Sequence, residues 1–144
     1  MINLNTFEAI WGFSEDITTS AKKTKEEIVA HISQPIGIPL HKYEGKLAID
    51  DKGISLTGET PSDQKMAVYV PFKAISDLFL GWDDLLRRWR DSRALIKPLR
   101  ITFENEERKT LYIFVRKVGA KIFGGENKEL YTQLKTSIES AKKA

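Results

Sequence analysis

Cysteine is absent from this chain of 144 residues, and histidine occurs only twice. Without cysteine there can be no disulfide, no thiol nucleophile, no iron–sulfur cluster and no cysteine zinc site. The two histidines, His31 and His41, are too far apart along the chain to act as two ligands on one helical face. No nucleophile-elbow pattern surrounds any serine. We therefore expect no metal, no cofactor and no enzymatic activity.

Long apolar runs are missing as well. No stretch approaches the roughly 20 apolar residues needed to cross a bilayer. Residues 1–6 lack a basic region ahead of an apolar run, so no signal peptide is expected. The chain is 41% hydrophobic and 30% charged, which is ordinary for a globular domain and excludes a disordered or collagen-like chain. We expect a soluble, cytoplasmic protein.

The two halves of the chain differ in charge. Residues 1–85 hold 8 basic and 13 acidic side chains, a balance of −5, and residues 86–144 hold 15 basic and 7 acidic, a balance of +8. The two values sum to the net charge of +3. A basic half can attract phosphate-bearing partners, although two solvated faces of opposite sign would give the same count. Acidic residues interrupt nearly every basic run, so we do not expect nucleic-acid binding.

The first forty residues carry helical signals. The apolar side chains Phe7, Ile10 and Trp11 have the spacing of one helical face. Thr24 and Glu27 form a capping-box pattern that would start a second helix. The proline-containing run 34–39 would end it. These patterns predict an N-terminal helical extension at 1–40, packed on a main domain at 41–144.

From Tyr43 onward the pattern becomes that of strands. Alternating apolar residues, β-branched side chains and turn signals predict seven short strands. The predicted strands lie at 43–49, from Ile54, at 66–70, 75–80, 99–103, 110–115 and 117–123. Residues 50–53 form a hairpin turn, because Gly53 accepts a positive φ. A final helix is predicted from Asn127 as its N-cap, and its apolar stripe is Leu130, Tyr131, Leu134, Ile138 and Ala141.

This order of elements, together with several short motifs, resembles the pleckstrin-homology-like (PH-like) family, in particular its bacterial PH-like and GRAM-like modules. The motifs lie at 43–56, 70–78, 98–103, 111–114 and 127–130, and the resemblance covers about residues 42–142. It implies an α+β, mainly β fold: a PH-like barrel of seven antiparallel strands in two bent sheets, closed by a C-terminal capping helix. It also implies a binding role, since many such modules bind proteins or self-assemble.

The strongest candidate contact surface is the segment 82–96, which departs from the minimal PH-like pattern. On a helix Trp82, Leu85, Leu86 and Trp89 would share one face, with arginines beside it. Arginine binds phosphate and carboxylate through two parallel hydrogen bonds, and tryptophan suits a wet interface. The candidate ligand- or partner-contact residues are Trp82, Arg87, Arg88, Trp89, Arg90, Arg93 and Arg100. The alternative is a helix whose tryptophans pack on the barrel and whose arginines are solvated.

Two functions remain open from the sequence. The first is a non-enzymatic PH-like binding module acting through protein–protein or oligomeric contacts. The second is peripheral binding to anionic lipid or a phosphorylated ligand through the segment 82–93. The first hairpin offers only Lys46 and Lys52 around Asp50 and Asp51, so it lacks the basic motif of phosphoinositide-binding PH domains. The sequence therefore favours a protein partner or self-association.

Overall fold

The computed structural model describes residues 5–15, 42–60, 62–81, 97–117 and 125–143. Within these ranges the chain is mainly β, with seven antiparallel strands that form a half-barrel and one C-terminal helix. The strands are β1 (Asn5–Phe13), β2 (Tyr43–Ile49), β3 (Gly53–Glu59), β4 (Lys65–Pro71), β5 (Ile75–Leu80), β6 (Leu99–Glu104) and β7 (Arg108–Arg116). The helix is α1 (Asn127–Lys143), and a 3-10 turn, Phe72–Ala74, joins β4 to β5.

The strands pair in the order β4-β3-β2-β1-β7-β6-β5. β2, β3 and β4 follow β1 as a meander on one side, and β7, β6 and β5 form a second meander on the other. β1 pairs with both β2 and β7 and so joins the two meanders. The strands therefore form one continuous, curled sheet, where the sequence predicts two bent sheets. β4 and β5 are the two ends of this sheet.

The helix predicted around Phe7, Ile10 and Trp11 is wrong, because these residues lie in β1 at the centre of the sheet. Phe7 and Trp11 face the core, whereas Ile10 points to the opposite face and is only 1% exposed. A strand buried on both faces carries apolar residues without clean alternation. Spacings of three and four then mimic a helix. The rest of the predicted extension, including the domain boundary after residue 40, falls largely in the segment 16–41, outside the described residues.

The core fills the concave side of the half-barrel. Alternate residues of each strand point into it, as a period of two requires. Leu47, Leu56, Ile101 and Ile113 are all fully buried there. α1 lies across this side through its predicted stripe, whose members Leu130, Tyr131, Leu134, Ile138 and Ala141 all pack on the core. The C-terminal helix and its inward face are therefore confirmed.

Asn127 is the first residue of α1 and not its predicted N-cap, because the first helical hydrogen bond runs from the backbone N–H of Leu130 to the carbonyl oxygen of Glu126. The residue is only 2% exposed, and its side chain bonds to β7 and to Lys97, which precedes β6. The Oδ1 atom accepts the backbone N–H of Val115 at 2.8 Å, and Nδ2 donates to the carbonyl oxygens of Lys97 at 2.8 Å and Ile113 at 3.3 Å. One amide therefore ties the helix to β7 and to the residues that precede β6.

The remaining strand predictions are confirmed from the first hairpin to β7. The turn at 50–53, and the strands that it and the later turns join, occur where the alternation predicts them. Gly53 does not have the positive φ expected of it and lies in extended backbone at the start of β3. The predicted strand at 117–123 falls almost wholly outside the described residues. The observed sheet has seven strands because it includes β1, a segment for which the sequence pattern predicts a helix.

Candidate functional site

The two ends of the sheet are protected to different degrees. At β5, α1 packs against the strand, and Lys142 Nζ donates a hydrogen bond of 2.7 Å to the carbonyl oxygen of Ile75. The pairing of β5 with β6 is also irregular between Ile75 and Asp77. Irregular pairing, charges and a covering helix are the usual protections of a sheet edge. β5 is therefore a blunted edge.

β4 is an open edge in the part of the chain that the structure describes. The backbone N–H of Phe72 donates to the carbonyl of Lys52 at 2.9 Å, and hydrogen-bonded pairs alternate along an antiparallel ladder. Residues 66, 68 and 70 therefore bond to β3. Ala67 and Tyr69 turn their backbone N–H and C=O groups outward, away from β3. We call this row of outward groups the β4 edge.

The side chains of β4 suit pairing with another strand. Ala67 and Tyr69 are exposed on the convex side, and Tyr69, at 43%, is the one large apolar side chain classed as exposed among the described residues. Met66 and Val68 point the other way and pack partly against the core. No charged residue lies between Lys65 and Pro71. A β-prone, uncharged edge readily accepts a further strand.

The turn between β2 and β3 holds one end of β4 in place. Asp50 Oδ1 accepts hydrogen bonds from the backbone N–H groups of Lys52 at 2.7 Å and Gly53 at 2.8 Å, and from the Tyr69 hydroxyl at 3.2 Å. Gly53 is required by close packing, because a Cβ there would lie 2.5 Å from the carbonyl oxygen of Val70. The Asp50 carboxylate therefore links the turn directly to the exposed tyrosine of the edge.

These contacts change two pKa values. The hydrogen bond from the Lys52 backbone N–H, helped by those of Gly53 and Tyr69, lowers the pKa of Asp50. Partial desolvation, and then the negative charge of Asp50, raise the pKa of Tyr69. The pair is therefore held as a carboxylate that accepts a hydrogen bond from a neutral phenol.

We predict that Asp50→Asn removes part of the acid dependence of stability. A lowered folded-state pKa stabilises the fold above the ordinary aspartate pKa of 3.8, and that contribution disappears as the pH falls through the lowered value. Because water screens this exposed carboxylate, the substitution should lower the free energy of unfolding by no more than about 1 kcal/mol at neutral pH. In strong acid the free energy of unfolding should be nearly the same for the variant and the wild type. Urea denaturation at a series of pH values measures this. Asp51→Asn is the control, and equal effects of the two substitutions would contradict the assignment.

A cleft of about 670 Å³ adjoins the β4 edge, on the open side of the half-barrel. Four residues of β4 form one wall, and the β6–β7 turn with its flanking residues forms another; the lining residues are Phe13, Met66, Ala67, Val68, Tyr69, Phe103, Asn105, Glu106, Glu107 and Lys109. Lys109 Nζ lies 4.9 Å above the ring of Phe13 and 3.3 Å from Glu107 Oε1. The cleft thus combines an apolar floor with a charged rim and an available backbone edge.

Arg100, the one described member of the predicted contact set, lies elsewhere. Its Nη2 is 2.7 Å from Asp77 Oδ2, and its guanidinium lies 4.8 Å from the centre of the Phe79 ring. It helps to line a shallow polar groove of about 580 Å³ on the convex face. Because Asp77 balances its charge, Arg100 is suited to holding β5 against β6. The other predicted contact residues, Trp82, Arg87, Arg88, Trp89, Arg90 and Arg93, lie outside the described residues.

Metal-binding and membrane-spanning features are both missing from the described ranges. They hold no cluster of histidine, aspartate and glutamate side chains that could bind a metal ion. No helix in the same ranges is long and apolar enough to cross a bilayer.

The β4 edge was not among the contact residues predicted from the sequence. Its signal is the run of five uncharged, β-prone residues from Met66 to Val70. That run is equally typical of an interior strand, because a sequence does not show on which side a strand has a neighbour. Only the strand order places β4 at the end of the sheet.

Comparisons with known proteins add no assignment. No model of a known protein family matches the chain, and a search of curated proteins finds no match.

Proposed function

We propose that the protein is a non-enzymatic binding module that acts through protein–protein or oligomeric contacts at the β4 edge and the adjoining cleft. The observation that carries the proposal is the contrast between the two ends of the sheet. β5 is covered by α1 and Lys142, whereas β4 presents exposed Ala67 and Tyr69 beside a cleft with an apolar floor and a charged rim. A strand edge that no described element covers, and that borders a cleft, is suited to an extended partner segment.

A PH-like identity for the half-barrel is part of this proposal. Its support is the curled sheet of seven antiparallel strands and the single helix that packs across the core side. The resemblance of the strand and turn motifs to bacterial PH-like and GRAM-like modules points the same way. We also retain a cytoplasmic location as the expectation from the sequence.

The partner segment would bind as an added strand. Its backbone would exchange hydrogen bonds with the outward groups of Ala67 and Tyr69, each worth about 0.5–1.5 kcal/mol net. Every second side chain of the segment would point into the cleft, over Phe13 and Phe103. Backbone bonds would supply affinity, and the apolar floor and charged rim of the cleft would determine which side chains fit.

A peptide-display selection tests the proposal. The protein is immobilised sparsely, so that copies cannot meet, and peptides are selected from a random library. The test variant is Ala67→Pro, which removes the outward backbone N–H of residue 67, a group that makes no hydrogen bond to β3. The control variant is Ala67→Thr, which retains that N–H. We expect peptides that bind wild type and Ala67→Thr but lose at least tenfold in affinity on Ala67→Pro.

Failure of that selection has a clear form. No enrichment on wild type, or equal binding to the folded Ala67→Pro variant, would overturn the proposal. Thermal denaturation of each variant verifies that the fold is intact. Sedimentation with anionic vesicles that weakens with added salt would instead favour lipid binding through the segment 82–93. Arg100, the one described arginine among the predicted contact residues, gives no support to that alternative, since it is paired with Asp77.

A further inference from the structure

We infer that the β4 edge pairs antiparallel with the β4 edge of a second copy of this chain. The inference rests on the proposed function and specifies its partner. Its first ground is electrostatic. The only charged residue of β4 is Lys65 at one end, so in an antiparallel pair the two lysines lie at opposite ends. Like charges directly opposite each other would destabilise a strand pair, and here they do not meet.

The second ground is hydrogen-bond register. A two-fold axis through Val68 sets Ala67 opposite Tyr69 of the second copy, and the reverse. Both residues already turn their backbone groups outward, so each can exchange both hydrogen bonds with its partner. This register also overlaps the whole strand, from Lys65 to Pro71.

The third ground is the fit of side chains. On the convex side, the smallest residue of the edge meets the largest, because Ala67 lies opposite Tyr69. On the concave side Val68 meets its own copy, and Met66 meets Val70, so each opposed pair is apolar. Contacts between opposed side chains are what stabilise a strand pair beyond its backbone hydrogen bonds.

The ends of the strand limit the alternatives to this register. Pro71 has no backbone N–H, so a shift that sets it opposite Ala67 or Tyr69 loses hydrogen bonds. A shift in the other direction brings Lys65 opposite Ala67 or Tyr69, shortens the overlap and moves the lysine toward the apolar centre. Lys65 and Pro71 therefore both select the register centred on Val68.

The cleft provides space for the added strand. In a continued sheet the second β4 lies on the open side of the half-barrel, where the cleft of about 670 Å³ is found. Its Met66 and Val68 would then face Phe13 and Phe103. A single strand pair is a small interface for a stable dimer. We therefore expect a weak dimer that forms at micromolar or higher concentrations.

A charge-swap experiment tests the inference. Ala67→Lys/Tyr69→Lys sets lysines opposite lysines in a β4 pair, and Ala67→Glu/Tyr69→Glu sets glutamates opposite glutamates. Both positions are exposed, so the fold tolerates the changes; thermal denaturation verifies this. By sedimentation equilibrium, wild type should dimerise, each variant alone should remain monomeric, and the mixture should form a heterodimer. Ser55→Lys/Thr57→Lys, on neighbouring β3, is the control that should still dimerise.

Three results would overturn the inference. The first is that the wild type remains monomeric into the millimolar range. The second is that the double-lysine or double-glutamate variant dimerises as the wild type does. The third is that mixing the two variants does not restore a dimer. None of them by itself removes the binding role. If the sparsely immobilised protein still selects peptides that depend on Ala67, the edge binds other chains and only the second copy is wrong as its partner. If selection and dimerisation both fail, the proposed function fails with the inference.

Discussion

Asn127→Asp is expected to destabilise the protein by about 3–5 kcal/mol at neutral pH, the cost of an uncompensated buried charge. In the wild type Nδ2 donates to the carbonyl oxygens of Lys97 and Ile113 while Oδ1 accepts from Val115. A carboxylate keeps the acceptor but places a second oxygen, with its negative charge, against two carbonyl oxygens. At 2% exposure, water cannot solvate that charge.

The loss should depend on pH in a predictable direction. Burial favours the neutral acid, and the introduced carboxyl group, once protonated, can donate to one of the two carbonyl oxygens. Urea denaturation should therefore show the variant recovering part of its deficit as the pH is lowered.

Two variants serve as references for this prediction. Asn127→Ala leaves the same backbone groups unsatisfied without a charge and should cost about 2–3 kcal/mol. Asn105→Asp is the matched control, because Asn105 lies exposed in the β6–β7 turn and should change stability little. An Asn127→Asp variant as stable as Asn105→Asp would show that the amide does not tie α1 to the sheet.

Trp11→Ala is expected to cost about 3–5 kcal/mol, the range for removal of a large buried aromatic. Trp11 is fully buried in β1 at the centre of the sheet. Its ring centre lies 4.6 Å from that of Tyr43 and 5.9 Å from that of Phe13, and its indole N–H donates to the carbonyl of Thr57 at 3.2 Å. The substitution removes core volume at the point where the two meanders join.

Graded substitutions separate the packing from the hydrogen bond. Trp11→Phe keeps an aromatic ring but leaves the Thr57 carbonyl without its donor, so we expect about 1–3 kcal/mol. Tyr69→Ala removes an exposed aromatic residue and is the surface control. The order of denaturation midpoints should be Tyr69→Ala, Trp11→Phe and then Trp11→Ala, from most to least stable. Equal midpoints for Trp11→Ala and Tyr69→Ala would contradict the central place of β1.

The later part of the fold was predictable because its signals are local. The turn at 50–53 carries its own chemistry in Asp50, whose carboxylate accepts the backbone N–H groups of Lys52 and Gly53, and α1 shows its inward face as a stripe of apolar residues. β1 was not predictable in this way. Ile10 is buried on the face opposite Trp11, so the alternation that marks a half-buried strand is hidden. The strand forms because β2 and β7 pair with it from both sides, and both are distant in sequence.

The candidate site was harder to predict than the fold. Sequence reasoning selects residues with chemically distinctive side chains, and it therefore favoured the Arg- and Trp-bearing segment 82–93 with Arg100. In the structure Arg100 is paired with Asp77. The β4 edge instead offers backbone groups, which every residue has. No side-chain motif can mark it.

The sequence by itself determined a chain with no thiol chemistry, a series of short antiparallel strands from Tyr43, and a helix from Asn127 with one apolar face. These features depend on residue type and on periods of two or 3.6 residues, which are local properties of the chain. The tertiary structure decided that β1 lies at the centre of the sheet and that Arg100 is paired with Asp77. It also decided that, among the described residues, β4 is an open edge while β5 is covered. Each of these depends on which distant segment lies alongside, and the free energy of that choice comes from burial and pairing across the whole sheet.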